Sequence, residues 1–190
     1  MILIIDNYDS FTYNLVQYVG SINKNVKIIK NNELTIKQIQ SLNISHIIIS
    51  PGPGRPENTG ICLDVIKNIS SKIPTLGICL GHQAIGLQFN AIVSNSKFIM
   101  HGKTSIIKHN KKSKLFKDIP EIFNATRYHS LSIEKNFKSK HIQVTSFSDD
   151  GEIMSIEHKK YPIFGIQFHP ESILTEYGIK IIDNFLNIIA

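Results

Sequence analysis

Hydrophobic positions along the chain fall into short runs separated by polar and turn residues, and the spacing within each run predicts its conformation. Residues 2–5, "ILII", are apolar at every position, the pattern of a strand covered on both faces. From Ser10 to Ile22 the apolar residues Phe11, Leu15, Val19 and Ile22 recur at helical spacing, with Ser10 and Thr12 placed to cap. "VKIIK" at 26–30 and "HIIIS" at 46–50 predict the next two strands, with a short helix in "LTIKQIQSL" between them. "GICLDVIKNI" at 60–69 predicts another helix and "TLGI" at 75–78 a fourth strand, after which a helix starts near Gly81.

Strand and helix alternate through this half, which predicts a mostly parallel central sheet with helices on both faces. The second half carries further strand signals in "TSIIKH", "IQVTSFS", "IMSIEH" and "IFGIQF". The closing segment "TEYGIKIIDNFLNIIA" places Tyr177, Ile181, Phe185 and Ile188 on one helical face. No repeat or linker interrupts the pattern, so residues 1–190 are expected to form a single α/β domain with additional antiparallel strands.

Composition changes this picture little. A chain of 190 residues, 42% hydrophobic and 19% charged, can bury about 70% of its unfolded surface. No apolar run approaches the roughly 18 residues that cross a bilayer, and the opening run is too short and lacks the basic flank of a signal peptide. Two cysteines make a disulfide framework an unsuitable reading and point to a reducing compartment. The net charge of +6 raises the question of an acidic partner. Its one dense basic stretch, "KHNKKSKLFK" at 108–117, has a single aromatic and no glycine-rich motif, so it reads as a solvated loop and nucleic acid is not expected.

The chemistry sits where strands end. In open α/β sheets ligands lie beyond the carboxyl ends of the strands. Cys79 is at such an end, and "Gly77-Ile78-Cys79-Leu80-Gly81" has the G-x-nucleophile-x-G form of a nucleophile elbow, with sulfur in place of oxygen. The turn is too tight for flanking side chains. A helix N-terminus beside the thiol favours thiolate and offers backbone N–H groups to an oxyanion. Cys62, on an amphipathic helix without such glycines, reads as core.

A cysteine nucleophile needs a base and the base an orienting group. In "FGIQFHPES" at 164–172, His169 and Glu171 follow a strand two residues apart. If that segment is extended, both point to the same side, and Glu171 can hold the His169 ring in one tautomer. Together with Cys79 they make a Cys–His–Glu triad. Of the remaining histidines only His129, in "RYHSL", is kept as lining the site. The third stretch, "SPGPGRPENTG" at 50–60, also follows a strand. Pro51 and Pro53 remove donors that a phosphate cradle would need, leaving Gly52 as a rigidly held N–H suited to an oxyanion hole. Lys97 stands where a phosphate loop ending in "GKT" at 102–104 would need its first glycine, so that reading fails as well.

"PGPG", "GICLGHQ" and "FHPE", in that order, resemble the class I (triad) glutamine amidotransferases over essentially the whole chain. "DNYDSFTYNLVQY" at 6–18, with "PGPGRP" and "RYHSL", narrows the resemblance to the glutaminase components of anthranilate synthase and aminodeoxychorismate synthase. The resemblance implies a flavodoxin-like fold, with Cys79 as nucleophile, His169 as general base and acid, and Glu171 as orienting carboxylate. It further implies an oxyanion hole from the Gly52 and Leu80 N–H groups, and glutamine binding by Gly52, Pro53, Gly54, Gln83, Ser130 and Leu131. No cofactor is expected in this chain. A larger chorismate-using synthase subunit, which would hold Mg²⁺, is the expected partner and receives ammonia. The tryptophan and folate branches stay open, as does a stand-alone γ-glutamyl hydrolase. The expected location is the cytoplasm or a plastid stroma.

Overall fold

The continuous apolar runs serve two cores at once. In a computed structural model describing residues 1–189, strand β1 (Ile2–Asp6) sends Ile2 and Ile4 into one hydrophobic cluster and Leu3 and Ile5 into another. Side chains alternate across a strand, so a strand sandwiched between helix layers must be apolar at every position. Strands β2 (Val26–Lys30), β3 (His46–Ile49) and β4 (Thr75–Ile78) lie parallel with β1. Helices α1 (Thr12–Ile22) and α5 (Gly178–Leu186) cover one face through Leu15, Val19, Ile181, Ile182 and Phe185. Helices α2 (Ile36–Gln40), α3 (Cys62–Asn68) and α4 (Leu80–Gln88) cover the other through Ile39, Cys62, Val65, Ile66, Ala84 and Ile85.

The second half adds β5 (Val93–Asn95), β6 (Lys103–His109), β7 (Ile122–Arg127), β8 (Leu131–Ile133), β9 (Ile142–Ser148), β10 (Ile153–His158) and β11 (Ile163–Ile166). The main sheet runs β2-β1-β3-β4-β11-β10-β9-β6-β7, while β5 and β8 pair separately. Its parallel part, β2-β1-β3-β4-β11, has the 2-1-3-4-5 flavodoxin order, and the last four strands extend it antiparallel. Because β1, β3, β4 and β11 share one direction, their carboxyl ends open on the same edge.

Several local expectations shift. The start of α1 has no side-chain cap from Ser10 or Thr12. Asp6 instead ties the helix start to β1, accepting from the Thr12 hydroxyl at 2.9 Å and the Asp9 N–H at 3.1 Å. Tyr177 is not on the α5 face: it precedes the helix with φ 60° and stays exposed, while Ile181 and Phe185 are fully buried. The basic stretch is only partly a solvated loop. Its lysines are exposed, but residues 114–116 form a short 3-10 turn that drives Leu115 and Phe116 into the core. Strands β5, β7 and β8 were not foreseen.

Beneath the sheet edge, His82 on α4 is completely buried, and neither ring nitrogen has a hydrogen-bond partner. A Cβ on Gly165 of β11 would lie 2.8 Å from its Nδ1, which explains the glycine inside "IFGIQF". Burial pushes the His82 pKa down to about 3, against a small opposing effect of the Gly165 backbone. The unfolded chain takes up that proton below its ordinary 6.5, so the stability His82 confers is present above pH 6.5 and is lost as pH falls toward 3. Replacing His82 by Gln is expected to remove about 1.4 kcal/mol per pH unit of this slope. Urea midpoints at about pH 6.5 and about pH 5 read it directly, and equal slopes for variant and parent would exclude a neutral buried ring.

Candidate active site

The elbow after β4 is built by close approach of backbone. A Cβ on Gly77 would sit 2.4 Å from the Gly81 carbonyl carbon and oxygen, and one on Gly81 would sit 2.5 Å from the Ile49 oxygen of β3. The two glycines let α4 begin directly over the strands. Between them Cys79 takes φ 51°, ψ −100°, a conformation that costs a residue with a Cβ about 1–3 kcal/mol. The strain is held by its neighbours: the Cys79 N–H donates to Ile166 O at 2.8 Å, and its own carbonyl accepts from Gln83 N at 3.1 Å. The sulfur thus stands at the mouth of α4, in a residue that is 6% exposed.

The loop after β11 brings in the base. His169 Nδ1 and Glu171 Oε1 are 2.7 Å apart, and both residues are buried. They meet across a turn, not along an extended segment as the two-residue spacing suggested: residues 170–171 are turn, and Ser172 N donates back to His169 O at 3.3 Å. That turn is tied to β7. His169 N donates to Thr126 O at 3.0 Å, Thr175 Oγ1 donates to His169 O at 2.6 Å, and Thr126 N donates to Thr175 Oγ1 at 3.0 Å. Gly178 closes it from behind, since a Cβ there would meet Pro170 O at 2.0 Å.

Burial opposes protonation of His169, but the Cys79 sulfur and then Glu171 outweigh it and raise its pKa well above the ordinary 6.5. With Nδ1 committed to Glu171, Nε2 has no aligned hydrogen-bond partner, and the sulfur is the group that acts on the ring most strongly. Looser alignment of this kind is common before substrate closes a site. A raised imidazole pKa beside a sulfur, with the ring held by a carboxylate, suits His169 to take a proton from that side.

Gly52, Pro53, Gly54, Cys79, Leu80, Gln83, Ser130 and Leu131 line one cavity of about 160 Å³, joined by Tyr128 and His129. Neither the Gly52 nor the Leu80 N–H donates to an acceptor among the described residues. Gly52 is wedged in place, for a Cβ would lie 2.6 Å from that of Asn7 and 3.0 Å from the Leu80 side chain. Asn7 in turn binds Ser50 twice, through its N–H to Oγ at 2.8 Å and its Nδ2 to the carbonyl at 2.9 Å. Gln83 donates from Nε2 to Leu131 O at 2.9 Å. Two unpaired amides beside a sulfur, in a pocket sized for one small side chain, can stabilise an oxyanion formed by attack on a carbonyl.

The sequence over residues 3–189 matches the glutamine amidotransferase class-I family. The chain belongs to that family. It is 50% identical to anthranilate synthase component 2 of Cyanophora paradoxa over 98% of both chains. It is 51% identical to the bifunctional protein TrpGD of Thermotoga maritima over 98% of this chain but 32% of that one, about a third of its length. Among solved structures, a putative GMP synthase subunit from Thermoplasma acidophilum superposes with a TM-score of 0.84 at 26% identity, covering 97% of this chain and 91% of that one. The flavodoxin-like sheet is thus that of a class-I amidotransferase.

Every residue expected at the site is in or beside this pocket, including His129. Its ring, however, is engaged: Nε2 accepts from Arg127 Nε at 3.0 Å, and Nδ1 is 3.0 Å from Leu131 O. Burial and the Arg127 charge push its pKa down to about 3, so it stays neutral and shapes the 128–131 loop. Arg127 is itself fully buried, paired with Glu152 and, at 3.0 Å, with Asp150. Missed from the sequence were Tyr128 and Phe11, whose rings pack edge-on to His169 at centroid distances of 5.1 and 6.0 Å. Phe11 follows Asp9, whose carboxylate accepts from its N–H at 2.9 Å, so "DNYDSF" forms one wall of the site.

Gly81→Ala should push α4 off β3. Overpacking of this kind costs about 1–3 kcal/mol, and displacement of the elbow is expected to slow alkylation of Cys79 at least about tenfold. Thermal melts and iodoacetamide kinetics test it; an alanine variant alkylated at the parent rate would show that the close approach is not what places the sulfur.

Proposed function

We propose that this chain is the glutaminase subunit of anthranilate synthase, releasing ammonia from L-glutamine for a larger chorismate-using subunit. The observation that carries the chemistry is the strained Cys79 beside a buried His169–Glu171 pair, opening on the same cavity as the free Gly52 and Leu80 amides. Cys79 gives its proton to His169, and the thiolate attacks the side-chain amide carbon of glutamine. The two amides take the charge on oxygen. His169 then protonates the departing nitrogen, leaving a γ-glutamyl thioester, and deprotonates the water that releases glutamate. Gly52, Pro53, Gly54, Gln83, Ser130 and Leu131 hold the substrate. These steps draw only on side chains and backbone of this chain; Mg²⁺ would belong with chorismate in the partner.

Identity near 50% with full-length proteins named anthranilate synthase component 2 supports the branch. Exposed apolar side chains on the loops that build the site support a docked partner. Tyr8 precedes the Asp9–Phe11 wall, Ile99 precedes Met100, whose N–H donates to His129 O, and Ile173 and Leu174 follow Glu171. Ile173 is 91% exposed and Ile99 75%. No helix among the described residues is long and apolar enough to cross a membrane, and both cysteines are free, which suits a reducing cytoplasm or plastid stroma.

Mixed with a candidate synthase subunit, the chain should support glutamine-dependent anthranilate formation, and its own glutamine hydrolysis should rise from a low level once the two are combined. Cys79→Ser should abolish the glutamine-dependent rate while leaving the rate with added ammonia intact. Aminodeoxychorismate as the sole product would move the chain to the folate branch, and full hydrolysis without any partner would make it a stand-alone hydrolase.

A further inference from the structure

Gln167 lies between β11 and His169, fully buried, and takes no part in the triad. Its backbone N–H is fixed to Met154 O of β10 at 2.9 Å. Its side chain reaches two groups of the pocket: Nε2 is 3.5 Å from Cys79 Sγ, and Oε1 accepts from Gln83 Nε2 at 3.1 Å. Which end of the amide faces the sulfur follows from a backbone group. The Leu131 carbonyl can only accept, so Gln83 must present Nε2 to it. The same nitrogen faces Gln167, which must answer with Oε1, and Nε2 is left pointing at Cys79.

We propose that Gln167 is a catalytic residue, its side-chain N–H donating to the Cys79 sulfur to hold the thiolate and aim it into the cavity. The inference rests on Cys79 being the nucleophile of the proposed reaction. When the Cys79 proton passes to His169 Nε2, the charge left on sulfur meets a donor already in place, and hydrogen bonds to ionised acceptors are the stronger kind. Gln83, a substrate-binding position, fixes the orientation of that donor, so the glutamine pocket and the nucleophile share one hydrogen-bond chain from Leu131 to Cys79.

Titratable and charged groups act on His169, or on the groups beside it, from several elements. His169 and Glu171 come from the turn after β11, His82 from α4, Arg127 and His129 from β7 and its following loop, and Asp9 from the loop after β1. His82 and His129 are both pushed down to about 3 and keep one charge state at neutral pH. Cys62 is fully buried, with its thiol pushed up to about 12, and stays silent toward alkylation. Iodoacetamide kinetics of the isolated chain therefore report the Cys79–His169 pair.

The test is the alkylation rate of Cys79 against pH for the parent chain, Gln167→Met and Gln167→Glu. Losing the donor should move the curve to higher pH by about one unit for Met, making alkylation about tenfold slower on the acid side. Glu, keeping the shape but adding a negative charge beside the sulfur, should move it further. Superimposable curves from folded variants overturn the proposal. So does a result that needs no substitution: in the parent chain the Gln167 side-chain amide resonances should shift through the same inflection, and resonances that stay fixed are incompatible with a donor on the sulfur. Alkylation involves neither glutamine nor a partner. A parent chain with this Gln167-dependent curve that never hydrolyses glutamine would sink the glutaminase reading alone.

Discussion

The whole site depends on one close approach, that of α4 onto β3 and β4. Helices normally stand off a sheet by the thickness of their side chains. Here Gly81 rests on the Ile49 carbonyl and Gly77 on Gly81, at separations no Cβ would allow. The strained torsion of Cys79 follows from that approach, because the chain must reverse from strand to helix within one residue. The free amide of Leu80 follows from it too, since the first N–H groups of a helix have no intrahelical acceptor. The place of the sulfur at the mouth of α4 and one of the two free amides beside it are consequences of the same packing contact.

The other half of the site is held from the opposite direction. Pairing of β11 with β4 sets the height of the His169 loop, and the Thr126 and Thr175 hydrogen bonds pull that loop toward β7. β7 is the far edge of the main sheet in strand order, yet its Thr126 bridges to His169, so the antiparallel extension curls back to the segment that leaves β11. The buried Arg127, satisfied by Glu152, Asp150, Ser105 and His129, locks the next residues of the same strand. A charge buried with that many partners contributes more to uniqueness of the loop than to net stability. The loop so fixed, 128–131, lines the cavity beside Cys79.

These two halves were unequally legible in the sequence. The parallel core was readable because burial on both faces demands uninterrupted apolar runs, and β1, β3 and β4 fall where the runs do. Strand β7 was not, because "IFNATR" mixes exposed Ile122 and Asn124 with buried Phe123, Ala125 and Arg127, and a buried arginine looks polar to any periodicity argument. β5 and β8, three residues each, are too short to show a period. The glycines announced the elbow. The His169–Glu171 contact was anticipated on the wrong geometry, since a turn and an extended strand can both bring residues two apart together. Gln167 and Asn7 were invisible as site residues: what each does depends on partners 43 or more positions away.

Burial of the triad also limits how the site can be switched on. Cys79, His169 and Glu171 are each no more than 6% exposed, so their mutual charges are little screened by water. Burial raises the pKa of Asp9, which stands close enough for His169 and Glu171 to act on it. Against burial, the sulfur and Glu171 raise the His169 pKa, and Gly52 is braced by Asn7, which is itself bound twice to Ser50. Access and alignment are what remain to be set: His169 Nε2 has no aligned partner, and Tyr8, Ile99 and Ile173 stand exposed on the loops around it. Alignment of His169 with the sulfur, more than the basicity of its ring, is what this geometry leaves to be set.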